Sequence, residues 1–281
     1  MTAKKIYKII RKQESHWVGN GFPVHTLISY ARNKGISPFL LLDYAGPAYF
    51  EPADNPRGVE QHPHRGFETV TIVYEGEVEH RDTAGNSGKI GPGEVQWMTA
   101  ARGILHEEKH SMAFTKQGGM LEMVQLWVNL PAKDKMSAPH YQSILNAEIP
   151  IVETPGSKVR VIAGSFSDVT GAAKTFSPVH LYDISIQADN TLSVPVKNGY
   201  NAMLLVRSGI LQIDSEQIKS SELVQFDLVG DSITLKAEAD TKFLLMAGEP
   251  INEPVVGSGP FVMNTEAEIQ QAFTDFRSGK F

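Results

Sequence analysis

His62-Pro63-His64-Arg65-Gly66-Phe67-Glu68-Thr69-Val70-Thr71-Ile72-Val73-Tyr74-Glu75-Gly76-Glu77-Val78-Glu79-His80-Arg81-Asp82 is the stretch on which the fold turns. A residue before proline is pushed to extended backbone, and side chains two apart on a strand share a face, so His62 and His64 project together. Past Gly66, residues 68–74 are rich in β-branched types and stop at the turn dipeptide Glu75-Gly76, after which 77–82 form a second candidate strand. A hairpin is the expected product. In it His80 stands opposite Thr71, on the face away from the two histidines, and reads as structural.

The same rhythm continues outward. Turn residues at 84–88, Pro92-Gly93, Arg102-Gly103 and Gly118-Gly119 separate strand candidates at 94–99, 104–109 and the strongly apolar 120–130. Pro131 ends that run, and the polar 132–139 has no apolar periodicity, so the domain junction is placed there. A second series follows at 158–163, 179–187, 201–207, 223–228, 232–237 and 242–247. The expected fold is all-β, two tandem barrels (residues 1–135 and 136–281) using one architecture twice without a close sequence repeat. A chain of 281 residues suits two domains. Thr265 and Glu268 have capping-box spacing, and Ile269, Ala272, Phe273 and Phe276 form one apolar stripe, which predicts a short closing helix.

Composition removes several function classes. Formal net charge is −6 and lysine and arginine are not clustered, so direct nucleic-acid binding is not expected. The absence of cysteine excludes disulfides, thiolate metal sites and a cysteine nucleophile. No stretch approaches the roughly 20 apolar residues that span a bilayer, and the first residues lack a signal-peptide core, so a soluble cytoplasmic protein is expected.

The chemistry lies in the histidines. His106 and Glu108 share a strand face as His62 and His64 do, so two strands could bring three imidazoles and a carboxylate to one metal ion. Glu68 competes with Glu108 for the carboxylate place. His106-Glu107-Glu108-Lys109-His110 also fits the zinc-protease pattern His-Glu-x-x-His, which needs a helix; Arg102-Gly103 and the surrounding strand pattern speak against one. Phe67, Trp97, Met98 and Trp127 could wall a flat aromatic pocket or fill the barrel core. Beside His180 the C-terminal half has no His-x-His element, and it is expected to bury apolar area without a metal.

Residues 91–108, with Pro92-Gly93 and Gly103-Ile104-Leu105-His106, resemble the second half of a cupin signature, and Gly58, His62, His64, Glu68 and Gly76 resemble the first half. Gly58 stands too close to His62, Gly76 is one residue late, and Ala101 stands where proline is usual. The closer resemblance is to the pirin family, a two-domain branch of the cupins. It is carried by residues 38–43 (PFLLLD), 62–69 (HPHRGFET), 96–100 (QWMTA), 102–106 (RGILH), 125–131 (QLWVNLP) and 259–265 (GPFVMNT). The resemblance implies that both histidines of His-Pro-His, the histidine after Gly-Ile-Leu and the acid two residues on hold the metal: His62, His64, His106 and Glu108. Fe(II) is the implied ion, with Zn, Ni, Mn or Cu able to replace it. Some pirins resemble quercetin 2,3-dioxygenases, which open flavonols with O₂; Glu108 would then accept the substrate's hydroxyl proton. Others look like nuclear co-regulators, which implies the alternative of an iron-containing redox sensor with a protein partner.

Overall fold

The structure, a computed structural model, describes residues 2–11, 14–33 and 35–281. Period-two patterning marks several strands, while others such as Phe67–Glu75 and Val95–Thr99 are buried on both faces. In Ile104–His110 the side chains of Ile104, His106, Glu108 and His110 are buried while Leu105, Glu107 and Lys109 are partly exposed. His-Glu-x-x-His is therefore strand, and Glu107 and His106 point to opposite faces; the protease pattern is excluded.

The chain forms two compact units. The first has a seven-stranded sheet in the order His140–Ile144, Val95–Thr99, Phe67–Glu75, Gly119–Asn129, Phe39–Phe50, Phe22–Ser29, His16–Val18. Its four-stranded sheet runs Gly58–His64, Ile104–His110, Val78–Asp82, Ser87–Ile90. Phe22, Val24, Val73 and Met123 of the larger sheet share one core with Val78 and Ile90 of the smaller. The second unit repeats the seven-plus-four plan. Its large sheet runs from Ile6–Ile10 through Leu223–Phe226, Asn201–Ser208, Thr241–Gly248, Val179–Ile186 and Ser157–Ala163 to Ile151–Thr154. The small sheet is Thr191–Pro195, Ser232–Ala237, Ile210–Ile213, Glu216–Lys219. Two all-β barrels and a short C-terminal helix are thus observed.

The expected hairpin does not form. Phe67–Glu75 pairs with Gly119–Asn129 and Val95–Thr99, whereas Val78–Asp82 pairs with Ile104–His110 and Ser87–Ile90. Gly76, at φ 83°, turns the chain from one sheet into the other, which lets Val73 and Val78 bury in the same core. His80 is consequently opposite Glu108, not Thr71.

The units are also not contiguous. One is built on Phe39–Asn146 and Ile251–Phe281 with the strands within 14–33; the other on Ala147–Pro250 with strand Ile6–Ile10 and residues 35–38. This differs from a single division at 135/136 because strand pairing reaches past it: His140–Ile144 adds to the edge of Val95–Thr99, and Ile6–Ile10 adds to Leu223–Phe226.

Helix Glu266–Arg277 starts with the capping box in full, Thr265 and Glu268 bonding each other's backbone. Ile269 and Ala272 bury against Phe261 and Met263. The stripe differs from expectation at its end: Phe276 is 37% exposed, and Asp275 is buried in its stead because its carboxylate receives Arg65 Nη1 at 2.9 Å. The sequence also contains a helix that was not expected, Met112–Gln117, capped by Ser111 Oγ accepting from Phe114 N.

Candidate metal centre

The site grows from one turn and one bulge. Gly66, at φ 90°, carries the chain from His64 into Phe67, and a side chain there would overlap the carbonyl oxygen of Val262, so only glycine fits. Opposite, His106 pairs with His62 while Glu108 pairs with Val59, so the strand Gly58–His64 holds one extra residue between. Such a bulge re-aims side chains, and here the Glu60 carbonyl accepts from His62 Nδ1 at 2.8 Å. With Nδ1–H donating, His62 Nε2 is the ring's free acceptor.

His62, His64 and His106 come together. Each offers a ring nitrogen, all within 4.8 Å of one another, and the ring centroids are 4.4–4.9 Å apart. His64 and His106 are buried, and His64 Nδ1 and His106 Nε2 have no hydrogen-bond partner. Buried nitrogens are rarely left so. All three are held neutral. Desolvation lowers His62, lowers His64 to about 3 with help from His62, and lowers His106 well below its ordinary value with help from its neighbours. Neutral imidazoles with vacant electron pairs are what a cation needs.

Glu108 falls in an adjoining group instead, with His106 and His80. Its Oε1 accepts from Thr71 Oγ1 at 3.1 Å and Gln96 Nε2 at 3.5 Å, and its Oε2 from Gln125 Nε2 at 3.4 Å. Burial raises its carboxyl to about 7. Glu68 is in neither group; Thr99 Oγ1 donates to it at 2.8 Å, and burial raises it to about 7 as well. His110 is buried among Phe22, Phe50 and Phe114 and bonds the Gly21 carbonyl at 2.9 Å, so it belongs to the core.

Of the four aromatic and sulfur candidates, Phe67, Trp97 and Met98 are wholly buried and serve the core. Trp127 is half-buried, stacks on Phe67 with centroids 4.3 Å apart, and has its ring centroid 5.2 Å from that of His64, so of the four it alone keeps some exposure. The sequence reasoning missed Thr71, Gln96 and Gln125 around Glu108. It also placed His80 on the wrong face: His80 Nδ1 is 3.4 Å from His106 Nδ1. The period-two pattern of Val78, His80 and Asp82, all buried, was the available signal.

In the second unit the matching strands of the small sheet, Thr191–Pro195 and Ser232–Ala237, bury Leu192, Val194, Ile233, Leu235 and Ala237.

The rise of Glu68 from 4.5 to about 7 is worth roughly 3 kcal/mol at about 1.4 kcal/mol per pH unit. A folded value above the unfolded one means that this stability is complete below about pH 4.5 and is lost as pH climbs through 7. Glu108 adds to the same trend. Metal-free Glu68→Gln should therefore show a smaller fall in urea midpoint between pH 5 and pH 8.5 than the unaltered protein. An undiminished fall would assign the loss elsewhere.

A two-barrel cupin protein whose first barrel gathers three histidines is the class that fold and site define. Residues 21–128 match the family model Pirin and residues 181–281 match Pirin C-terminal cupin domain. The chain belongs to the pirin family. A Pseudomonas aeruginosa protein provisionally named a quercetin 2,3-dioxygenase is 50% identical over 99% of this chain and 98% of its own length. Human pirin is 36% identical over 99% of this chain and 94% of its own. The crystal structure of quercetin 2,3-dioxygenase from Acinetobacter baumannii superposes with a TM-score of 0.96 at 47% identity, covering 99% of this chain and 98% of that one. Among the described residues, no helix is long and apolar enough to cross a membrane.

Proposed function

We propose that this protein is a mononuclear non-haem metal enzyme that opens flavonols of the quercetin type with O₂. The observation that carries the proposal is the convergence of His62, His64 and His106, with His64 Nδ1 and His106 Nε2 buried and satisfied by nothing in the protein. Those three, with Glu108 from the adjoining group, would hold the ion. Three neutral imidazoles and one carboxylate suit Fe(II), and zinc, nickel, manganese and copper also favour such donors. When bound, the ion supplies a Lewis acid toward the substrate hydroxyl and a redox centre for O₂.

The rest is work for this chain's side chains. Glu108 is placed to take the flavonol's hydroxyl proton, and Thr71, Gln96 and Gln125 fix the direction of its carboxylate. Trp127 offers a ring face on which a flat aromatic substrate can stack. The names of the relatives supply the substrate class.

Loading with Fe(II) without oxygen, then adding quercetin and air, tests the proposal. Oxygen uptake and flavonol loss should exceed those of a His62→Ala, His64→Ala double variant. Equal rates would end the quercetin assignment and turn attention to the redox-sensing alternative. Trp127→Ala should raise KM for quercetin about tenfold, from the loss of ~1.4 kcal/mol of stacking; an unchanged KM would remove Trp127 from the binding face.

A further inference from the structure

We propose that His80 and Asp82 are positioning residues that lock His106 in the Nδ1–H tautomer, leaving Nε2 as the atom that takes a metal ion. The metal half of this statement rests on the function proposed above; the tautomer half does not.

The strand Val78–Asp82 lies beside the His106 strand, with Asp82 opposite His106 and His80 opposite Glu108. It supplies a second row of polar groups behind the histidine triplet. Asp82 is fixed first: Oδ1 accepts from Ala84 N, Asn86 N and Asn86 Nδ2, and Oδ2 from Asn86 Nδ2. An oxygen so surrounded by donors is an acceptor, so His80 Nε2, 3.2 Å from Asp82 Oδ2, carries the hydrogen. A neutral His80 then presents an electron pair at Nδ1. That atom is 3.4 Å from His106 Nδ1. Two electron pairs would repel at this contact, whereas a hydrogen on His106 Nδ1 makes it a hydrogen bond, long but between buried rings. The proton placed there cannot also be on Nε2, and His106 Nε2 is the buried nitrogen left without a partner. Each link forces the next, from carboxylate to outer ring to inner ring.

The outer ring is itself held. Tyr141 stacks on His80 with centroids 5.0 Å apart and planes 22° from parallel. Gly88 leaves room for it, since a Cβ at that position would press on the Tyr141 hydroxyl. Neutral histidine in water favours the Nε2–H form, so an Nδ1–H His106 is a tautomer that the protein must impose. Partners of this kind behind a ligating histidine fix its orientation and raise its basicity, and losing one costs about 10–100-fold in metal affinity.

The experiment reads the tautomer directly. In metal-free protein labelled with ¹⁵N-histidine, NMR should show His106 protonated at Nδ1 in the unaltered chain and shifted toward Nε2–H in His80→Leu. Competition for Zn(II) against a chelator should show His80→Leu weakened about 10–100-fold. His80→Asn, whose amide oxygen falls near the place of Nδ1, should recover most of that loss, and Asp82→Asn should show a smaller one. A general loosening of the barrel would weaken leucine and asparagine variants alike, and apo melting temperatures report it separately. An Nε2–H His106 in the unaltered metal-free protein, or wild-type zinc affinity in His80→Leu, overturns the proposal. Should His80→Leu fail to fold, the unaltered protein's spectrum and the Asp82→Asn affinity decide it. Unaltered protein that binds no zinc while His106 remains Nδ1–H would sink the metal reading and leave the lock standing.

Discussion

His106→Ala should weaken metal binding by more than about 100-fold, beyond what loss of an outer partner costs, and quercetin turnover should vanish with it. His106 is the member that links the imidazole cluster His62-His64-His106 to Glu108, since it is common to that cluster and to the adjoining group that contains Glu108. Removing His62 leaves His64, His106 and Glu108, and removing Glu108 leaves the three imidazoles together, so neither is expected to match the effect. The ring is fully buried and neutral, and its Nε2 has no protein partner, so alanine removes little hydrogen bonding from the metal-free fold. Chelator competition on the single variants, with melting of the metal-free forms alongside, gives the comparison. A His106→Ala protein that keeps its affinity within tenfold would mean that the ion is held elsewhere.

Phe67→Ala is the second large effect expected, on stability rather than on binding alone. Phe67 is fully buried, stacks on Trp127, and meets His64 edge-on with centroids 5.1 Å apart. Cutting a buried phenylalanine to alanine costs about 3–5 kcal/mol because the cavity collapses only in part. Collapse is opposed here by Gly66, whose tight approach to the Val262 carbonyl holds the start of the strand in place. Urea unfolding of the metal-free variant should show the loss, and metal should restore some of it by binding the folded state. A loss below about 1 kcal/mol would mean that the neighbouring rings close over the gap.

Strand existence was legible in part from half-buried strands that alternate, such as Ser232–Ala237, expected at 232–237, and in part from apolar runs bounded by turn residues, such as Phe67–Glu75. Partner choice was not, since alternation names two faces without saying which one meets the core. That is why His80 was put outside: the near neighbour in sequence, Phe67–Glu75, was taken as its pairing partner, and the true partner is Ile104–His110. Strand Phe39–Phe50 was hidden by Gly46-Pro47, which sits where its register with Gly119–Asn129 slips by one, the kind of bulge that tolerates proline. The convergence of His62, His64 and His106 was readable from spacing. The amide and hydroxyl donors around Glu108 were not, because Thr71, Gln96 and Gln125 come from three strands whose order only the fold reveals.

Each large sheet borrows its outermost strand across the sequence: Ile6–Ile10 closes one, and His140–Ile144 the other. A gene cut at residue 135 would therefore yield halves that each carry a raw flank of unsatisfied backbone amides, along Leu223–Phe226 in one and Val95–Thr99 in the other. Such flanks recruit strands from other molecules. Anyone expressing a single barrel should keep its borrowed strand attached, or expect material that self-associates.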